Sequence, residues 1–207
     1  MQHENEYHDN MVAMLELIWG KGYMAPGGAG NVARMLDGIE TYGKRILDVG
    51  CGIGGPVFEM AHTFGAEVVG IDLELPLIER ATAAAAAQGL NKQCTFQLVE
   101  AGSLLFPDES FDIVVSAGAI TQIKDKAAVL GECCRVLRPG GTLSCYDWYR
   151  DQASHEYELI KGVLYPSMVE LLGQSDADHF VENWRAMVVV IDKGEMRQGY
   201  CRGRRPD

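Results

Sequence analysis

The sequence predicts an α/β protein: a doubly wound, mostly parallel sheet with helices on both faces and a helical extension ahead of it. Three observations carry this. Up to Tyr149, apolar segments alternate between the period of a strand and the period of a helix. The connections between them are short, as in βαβ units. A glycine-rich run also follows the first strand-like segment directly and leads into a helical one.

Met11 to Ile18 has helical spacing, and Gly20, Gly22 and the Pro26-Gly27-Gly28 turn then punctuate the chain. Asn31 to Ile39 reads as a second short helix, with Val32, Met35, Leu36 and Ile39 on one face. Arg45 to Val49 is a strand running into glycines. Pro56 to Phe64 is a helix, its proline in the first turn where a missing N–H costs little. Ala66 to Ile71 is the second strand. Leu77 to Gln88 is a helix favoured by its alanine run. Cys94–Val99, Phe111–Ser116 and Thr142–Tyr146 are further strands. Before the last lies a helix over Lys126–Leu137, stopped by Pro139-Gly140-Gly141. After Tyr149 the pattern becomes two polar helices, about 155–172 and 176–192, and one strand at Arg197–Arg202. The parse is a single domain, 1–207, with a helical lid over 1–40, a core over 44–147 and a C-terminal part over 151–207.

Composition narrows the function. The chain has 207 residues, 47% of them apolar and 23% charged, with a net charge of −11. Such a balance disfavours nucleic acid, whose binding draws on Lys and Arg at phosphates. No apolar run reaches the roughly 20 residues of a membrane helix. The opening Gln2-His3-Glu4-Asn5-Glu6 lacks the basic start of a signal peptide. Six cysteines without CxxC spacing read as reduced thiols of a cytoplasmic protein. No converging His/Cys/Asp/Glu set predicts a metal site.

The run Asp48-Val49-Gly50-Cys51-Gly52-Ile53-Gly54-Gly55 carries the chemistry. Its glycines permit close backbone approach to a ligand, and the helix beyond offers unpaired N–H groups. The second strand ends in Asp72, roughly 18 residues after Gly54, the spacing at which a carboxylate meets a ribose. A dinucleotide would set its pyrophosphate at this helix start. Asp48 at the loop entrance would repel a pyrophosphate and suits a positively charged ammonium group instead. The bland alternative is a tight turn beside a solvated aspartate.

Ile46 to Gly55, Gly70-Ile71-Asp72, Phe106 to Asp112 and Val136 to Gly141 together resemble the motifs of class I S-adenosylmethionine-dependent methyltransferases. The resemblance implies the Rossmann-like fold of that class and S-adenosylmethionine as cofactor. It places Gly50, Gly52, Gly54 and Ala117 along the cofactor, Asp48 near its methionine end, Asp72 at the ribose and Leu73 on the adenine. Ala101 and Gly102 are expected beside the ring, with Glu100 or Ser103 as its polar partner depending on alignment. A narrower resemblance, to the phosphoethanolamine and sarcosine/dimethylglycine N-methyltransferases, rests on Tyr7-His8-Asp9, Trp19 to Tyr23, Pro26-Gly27-Gly28 and Met196 to Tyr200. It implies a catalytic Tyr7 and a lid in which Tyr23, Gly27 and Gly28 cover the cofactor.

Departures bear on the acceptor. Those enzymes pair the tyrosine with a histidine after the fourth strand; here Gly118-Ala119-Ile120-Thr121-Gln122 puts Gln122 in its place. Glutamine does not titrate near neutral pH. Tyr7 and Gln122 are therefore expected to orient a small-molecule acceptor, most simply an amine. His8 and Asp147-Trp148-Tyr149 are candidate acceptor contacts, the last three against a role as packing aromatics. S-methyl or carboxyl transfer, or a non-catalytic S-adenosylmethionine-binding protein, stand as alternatives. The usual strand pair after strand five reduces here to one strand, so a deletion or an absent segment near Arg150-Asp151 is expected. The charge cluster over 192–205, with Lys193, Arg197, Arg202, Arg204 and Arg205, reads as a solvated edge.

Overall fold

The computed structural model describes residues 7–100, 102–149, 165–175, 177–178, 181–182 and 197–206. The chain divides into two compact units, one of Ala25–Asp147 with Tyr200–Asp207, the other of Met1–Met24 with Trp148–Gly199.

The sheet has six strands in the order β3-β2-β1-β4-β5-β6. They are β1 (Arg45–Val49), β2 (Glu67–Asp72), β3 (Cys94–Leu98), β4 (Phe111–Ala117), β5 (Leu137–Tyr149) and β6 (Arg197–Arg204). The four pairings from β3 across to β5 are parallel. β6 runs antiparallel to β5: Gly140 and Gly141 bond the backbone of Arg205, while Tyr146 meets the ring of Tyr200. The order reverses between β1 and β4, which makes the crevice above their carboxyl ends the place where open α/β sheets bind ligands.

Helices α2 (Gly28–Leu36), α3 (Gly55–Phe64), α4 (Leu75–Gln88) and α5 (Lys126–Val136) belong to the larger unit. Leu47, Val49, Val69, Ile71, Phe111 and Val114 of the strands pack with Val129, Cys133 and Val136 of α5 into one buried cluster. Near-continuous apolar runs in β1, β2 and β4 fit parallel strands covered by helices on both faces. The smaller unit contains α1 (Asp9–Trp19) and α6 (Tyr165–Leu172). Met14 and Ala177 are fully buried there, with Met11, Leu15, Ile18, Trp19, Tyr165, Val169 and Val181 packed around them. α1 starts under the imidazole of His8, whose Nδ1 accepts the Met11 N–H at 3.3 Å.

One expectation is corrected. Pro139-Gly140-Gly141 does not separate α5 from the last parallel strand; β5 begins at Leu137 and runs through it. The register jumps there, from Phe111 opposite Leu137 to Ile113 opposite Thr142. A side chain at Gly141 would lie 2.8 Å from the Arg138 carbonyl and 3.0 Å from that of Asp112, so glycine makes the bulge possible. The basic edge is exposed at Arg202 and Arg204, and its guanidinium groups are also bonded to the fold. Arg202 donates to the Arg34, Met35 and Asp37 carbonyls at the end of α2, and Arg205 to those of Cys134, Arg135 and Leu137 at the end of α5. Cations there complement the negative helix ends and occupy carbonyls left without intrahelical partners.

The helix expected over 155–172 is described from Tyr165 onward, and most of the one expected over 176–192, with His155, His179 and Trp184, lies outside the described residues. His62 is exposed on α3. Among the described residues, one strand follows Tyr149.

Candidate functional site

Three loops of the larger unit meet above the carboxyl ends of β1 and β4. The first is the glycine loop. Gly50 and Cys51 donate their N–H groups to the Ile71 carbonyl at 2.9 and 3.0 Å, which folds the loop over the end of β2. Gly50, Gly52 and Gly54 have φ of 80°, 53° and 93°, the left-handed region that side chains resist. The second is the segment after β4, where a methyl group on Gly50 would fall 2.2 Å from the Cβ of Ala119. The third carries Ala25, whose Cβ would lie 3.0 Å from one on Gly118. Small residues at all three points bring the backbones together.

Two carboxylates mark this place. Asp72 accepts the Gly52 N–H at 2.9 Å on one oxygen and the Glu74 N–H at 3.1 Å on the other, so it locks the glycine loop to the end of β2. Asp48 is 1% exposed, and among the described residues neither of its oxygens has a hydrogen-bond partner. Burial pushes its carboxyl up to about 7, with the Asp72 charge adding to the effect. Buried polar atoms are normally paired, and an orphaned carboxylate points to a cation or donor that the protein itself does not supply. The Cys51 thiol, in the same loop, is pushed well above its usual range by burial and then by Asp48 and Asp72. It is inert as a nucleophile.

Around this pair, Ser116 donates to the Val49 carbonyl at 2.7 Å and ties the ends of β1 and β4, beside the half-buried Ala117. Leu73 is 53% exposed just past Asp72, an apolar surface at the site's edge. Beyond β3, the Val99 N–H bonds the Asp72 carbonyl, Glu100 and Ser103 are exposed, and Gly102 has open space around its Cα. Ala101 lies outside the described residues.

The Pro26-Gly27-Gly28 turn is fixed by a residue the sequence reading passed over. Asn31, 5% exposed in α2, donates its amide to the Pro26 carbonyl and accepts from the Tyr200 hydroxyl of β6. Gly27, at φ 87°, has no room for a side chain beside it. Gln122 ends a 3₁₀ turn over Ile120–Gln122, and its amide donates to the Gly118 carbonyl at 3.0 Å. Asp147, an expected acceptor contact, bonds Thr121 through both carboxylate oxygens. No periodicity or motif marks Thr121 or Asn31 for these roles.

Tyr7, His8 and Tyr23 belong to the smaller unit. There Gly22 donates to the Glu16 carboxylate and the Tyr23 N–H to the Gly20 carbonyl. Trp148 and Tyr149 end β5, and their side chains lie outside the described residues. Among the described residues no cluster could hold a metal ion, and no helix is long and apolar enough to cross a membrane.

A family model for a methyltransferase domain matches residues 40–186. Phosphoethanolamine N-methyltransferase 3 of Arabidopsis thaliana is 34% identical over 146 residues, which is 70% of this chain and 29% of that protein. The chain thus spans under a third of the length of that curated relative. Among solved structures, phosphoethanolamine N-methyltransferase 2 of Haemonchus contortus, in complex with phosphomonomethylethanolamine and S-adenosylhomocysteine, matches with a TM-score of 0.88 at 21% identity. That match covers 98% of this chain and 58% of the other. A protein of Galdieria sulphuraria assigned as a sarcosine dimethylglycine methyltransferase matches with a TM-score of 0.83 at 16% identity, over 96% of this chain and 98% of its own. These likenesses establish the fold.

Proposed function

The chain belongs to the methyltransferase-domain family, and from that premise we propose that it transfers a methyl group from S-adenosylmethionine to a small-molecule acceptor, an amine in the first instance. The observation that carries this is the pair of carboxylates at the glycine loop: Asp72 ordered beside Gly52, and Asp48 buried without a partner among the described residues. A buried carboxyl group of this kind fits a cationic amino-acid end better than a pyrophosphate, which favours S-adenosylmethionine over a dinucleotide. Gly50, Gly52 and Gly54 would lie along the cofactor, Asp72 at its ribose hydroxyls, Leu73 at its adenine face and Gly102 with Glu100 at the ring edge. Tyr23, Gly27, Gly28 and Ala117 complete the set assigned to it.

S-adenosylmethionine, when bound, supplies an electrophilic methyl carbon on a sulfonium. The protein's part is to align the acceptor in line with that carbon and to exclude water. We assign alignment to Tyr7 and Gln122, and acceptor contact to His8, Trp148 and Tyr149. Gln122 is held through its amide on the Gly118 carbonyl, and an amide cannot take a proton near neutral pH. This favours acceptors that need lose none, tertiary amines or thioethers, over phosphoethanolamine. Six free cysteines support a reducing, cytoplasmic location.

An acceptor screen scored by S-adenosylhomocysteine release tests the reading, run with wild type and Gln122→His. Turnover of a tertiary amine or thioether that the histidine does not improve is the expected result. A strong gain for Gln122→His with phosphoethanolamine alone would overturn the assignment of acceptor class.

A further inference from the structure

We propose that Asp147 and Thr121 form a clasp that positions the Ile120–Gln122 turn, and with it the group that aligns the acceptor. What the turn aligns rests on the function proposed above; the clasp itself rests on contacts. Asp147 is 1% exposed near the carboxyl end of β5, at a depth where a carboxylate needs its lone pairs met. Both oxygens reach one residue. Oδ2 accepts the Thr121 N–H at 2.8 Å and Oδ1 accepts the Thr121 hydroxyl at 2.5 Å. Two charge-assisted bonds to backbone and side chain of the same residue fix its orientation as well as its place.

A three-residue 3₁₀ turn has poor hydrogen-bond geometry and little stability of its own. Its position is therefore set by what grips it. β5 grips this one at two successive residues, since Tyr146 accepts the Gly118 N–H at 2.8 Å just before the turn and Asp147 takes Thr121 within it. From the far side, Ala119 abuts Gly50 of the glycine loop. Gln122 follows Thr121 directly, so a shift of the clasp is a shift of Gln122. Displacing an aligning group by about 1 Å can cost roughly a hundredfold in rate. Asp147 is thus a positioning residue, and it acts without touching the acceptor.

The test uses the full chain with Thr121→Val, which removes the hydroxyl and keeps the backbone N–H, Thr121→Ser, which restores the hydroxyl, and Asp147→Ala. Expected for Thr121→Val is a fall of about tenfold or more in kcat/KM for the acceptor, with the S-adenosylhomocysteine dissociation constant within about twofold of wild type. Thr121→Ser should recover most of the loss. Hydrogen exchange gives a readout independent of turnover: the amides at positions 121 and 122 should exchange faster in Thr121→Val and in any folded Asp147→Ala, while those of Gly50 and Cys51 keep their protection. If wild type turns over no acceptor, the methyl-transfer reading fails and exchange alone decides the clasp. Unchanged exchange at 121 and 122, or wild-type kcat/KM in Thr121→Val, overturns the proposal. So does a loss of cofactor affinity in parallel with turnover, since the contact would then be structural only.

Discussion

At the scale of single residues, Asp48 is the most consequential group. Its ordinary value is near 3.8, and burial with the neighbouring Asp72 charge carries it to about 7 in the folded chain. Between those values the folded chain holds a proton that the unfolded chain has released. The contribution is therefore fully present below about pH 4 and is lost as pH rises through about 7, at about 1.4 kcal/mol for each unit of difference. Replacing the carboxylate by an amide removes the titration. Without cofactor, Asp48→Asn should gain stability over wild type by a few kcal/mol, on the order of 2–4, between pH 5 and 8. Denaturant melts of both proteins across that range check it. Parallel pH dependences would mean that Asp48 is solvated. The residue was legible as the loop's acid from its place before Gly50, but its isolation was not. That depends on which side chains from β2 and β4 surround it.

At the scale of elements, most of the fold was readable because one mechanism governs it: strands buried on both faces alternate with amphipathic helices, and glycines mark where each strand yields to a helix. Gly65 closes α3 in the left-handed conformation common at helix C-termini, and Gly54 takes the same conformation where the glycine loop enters it. What escaped the sequence were interactions between distant segments. Pro139-Gly140-Gly141 has the local chemistry of a turn, yet pairing across the sheet made it a bulge within β5. Arg202 and Arg205 read as solvated charge, and their bonds to the ends of α2 and α5 show only in the fold. β6 also holds the Pro26-Gly27 turn through Tyr200 and Asn31, with the Tyr200 ring 4.9 Å from that of Tyr146. Tyr200→Phe keeps the ring and removes the hydroxyl. It should cost about 0.5–1.5 kcal/mol of stability and, if the turn covers the cofactor, lower S-adenosylhomocysteine affinity several-fold. Calorimetry alongside thermal melting separates the two effects; a stability loss with unchanged affinity would free Gly27 and Gly28 from any cofactor role.

At the scale of the whole molecule, the residues assigned to the cofactor and to the acceptor are divided between the two units. Every residue assigned to the ribose and to the methionine end, and Gln122 with them, lies in the unit of Ala25–Asp147 with Tyr200–Asp207, whereas Tyr7, His8 and Tyr23 lie in the other. A protein that only bound S-adenosylmethionine would need the cofactor set but neither Tyr7 nor Gln122. Ligand at a hundred times its dissociation constant stabilises the folded state by about 2.7 kcal/mol. For a chain of this size that raises the melting temperature by about 5–10 °C, at about 2–4 °C per kcal/mol. S-adenosylhomocysteine should produce this shift in wild type and equally in Gln122→His, whose change lies outside the cofactor contacts. Asp72→Ala should lose most of it, because removing a charged acceptor costs about 1.5–3 kcal/mol, roughly ten- to over a hundredfold in affinity. A full shift in Asp72→Ala would place the ribose elsewhere and undo the site. A shift in wild type with no turnover across amines, thioethers and carboxylates would make the chain a binding protein built on an enzyme's fold. Turnover that depends on Tyr7 and Gln122, while the shift depends only on Asp72, is the pattern expected of the methyltransferase proposed here.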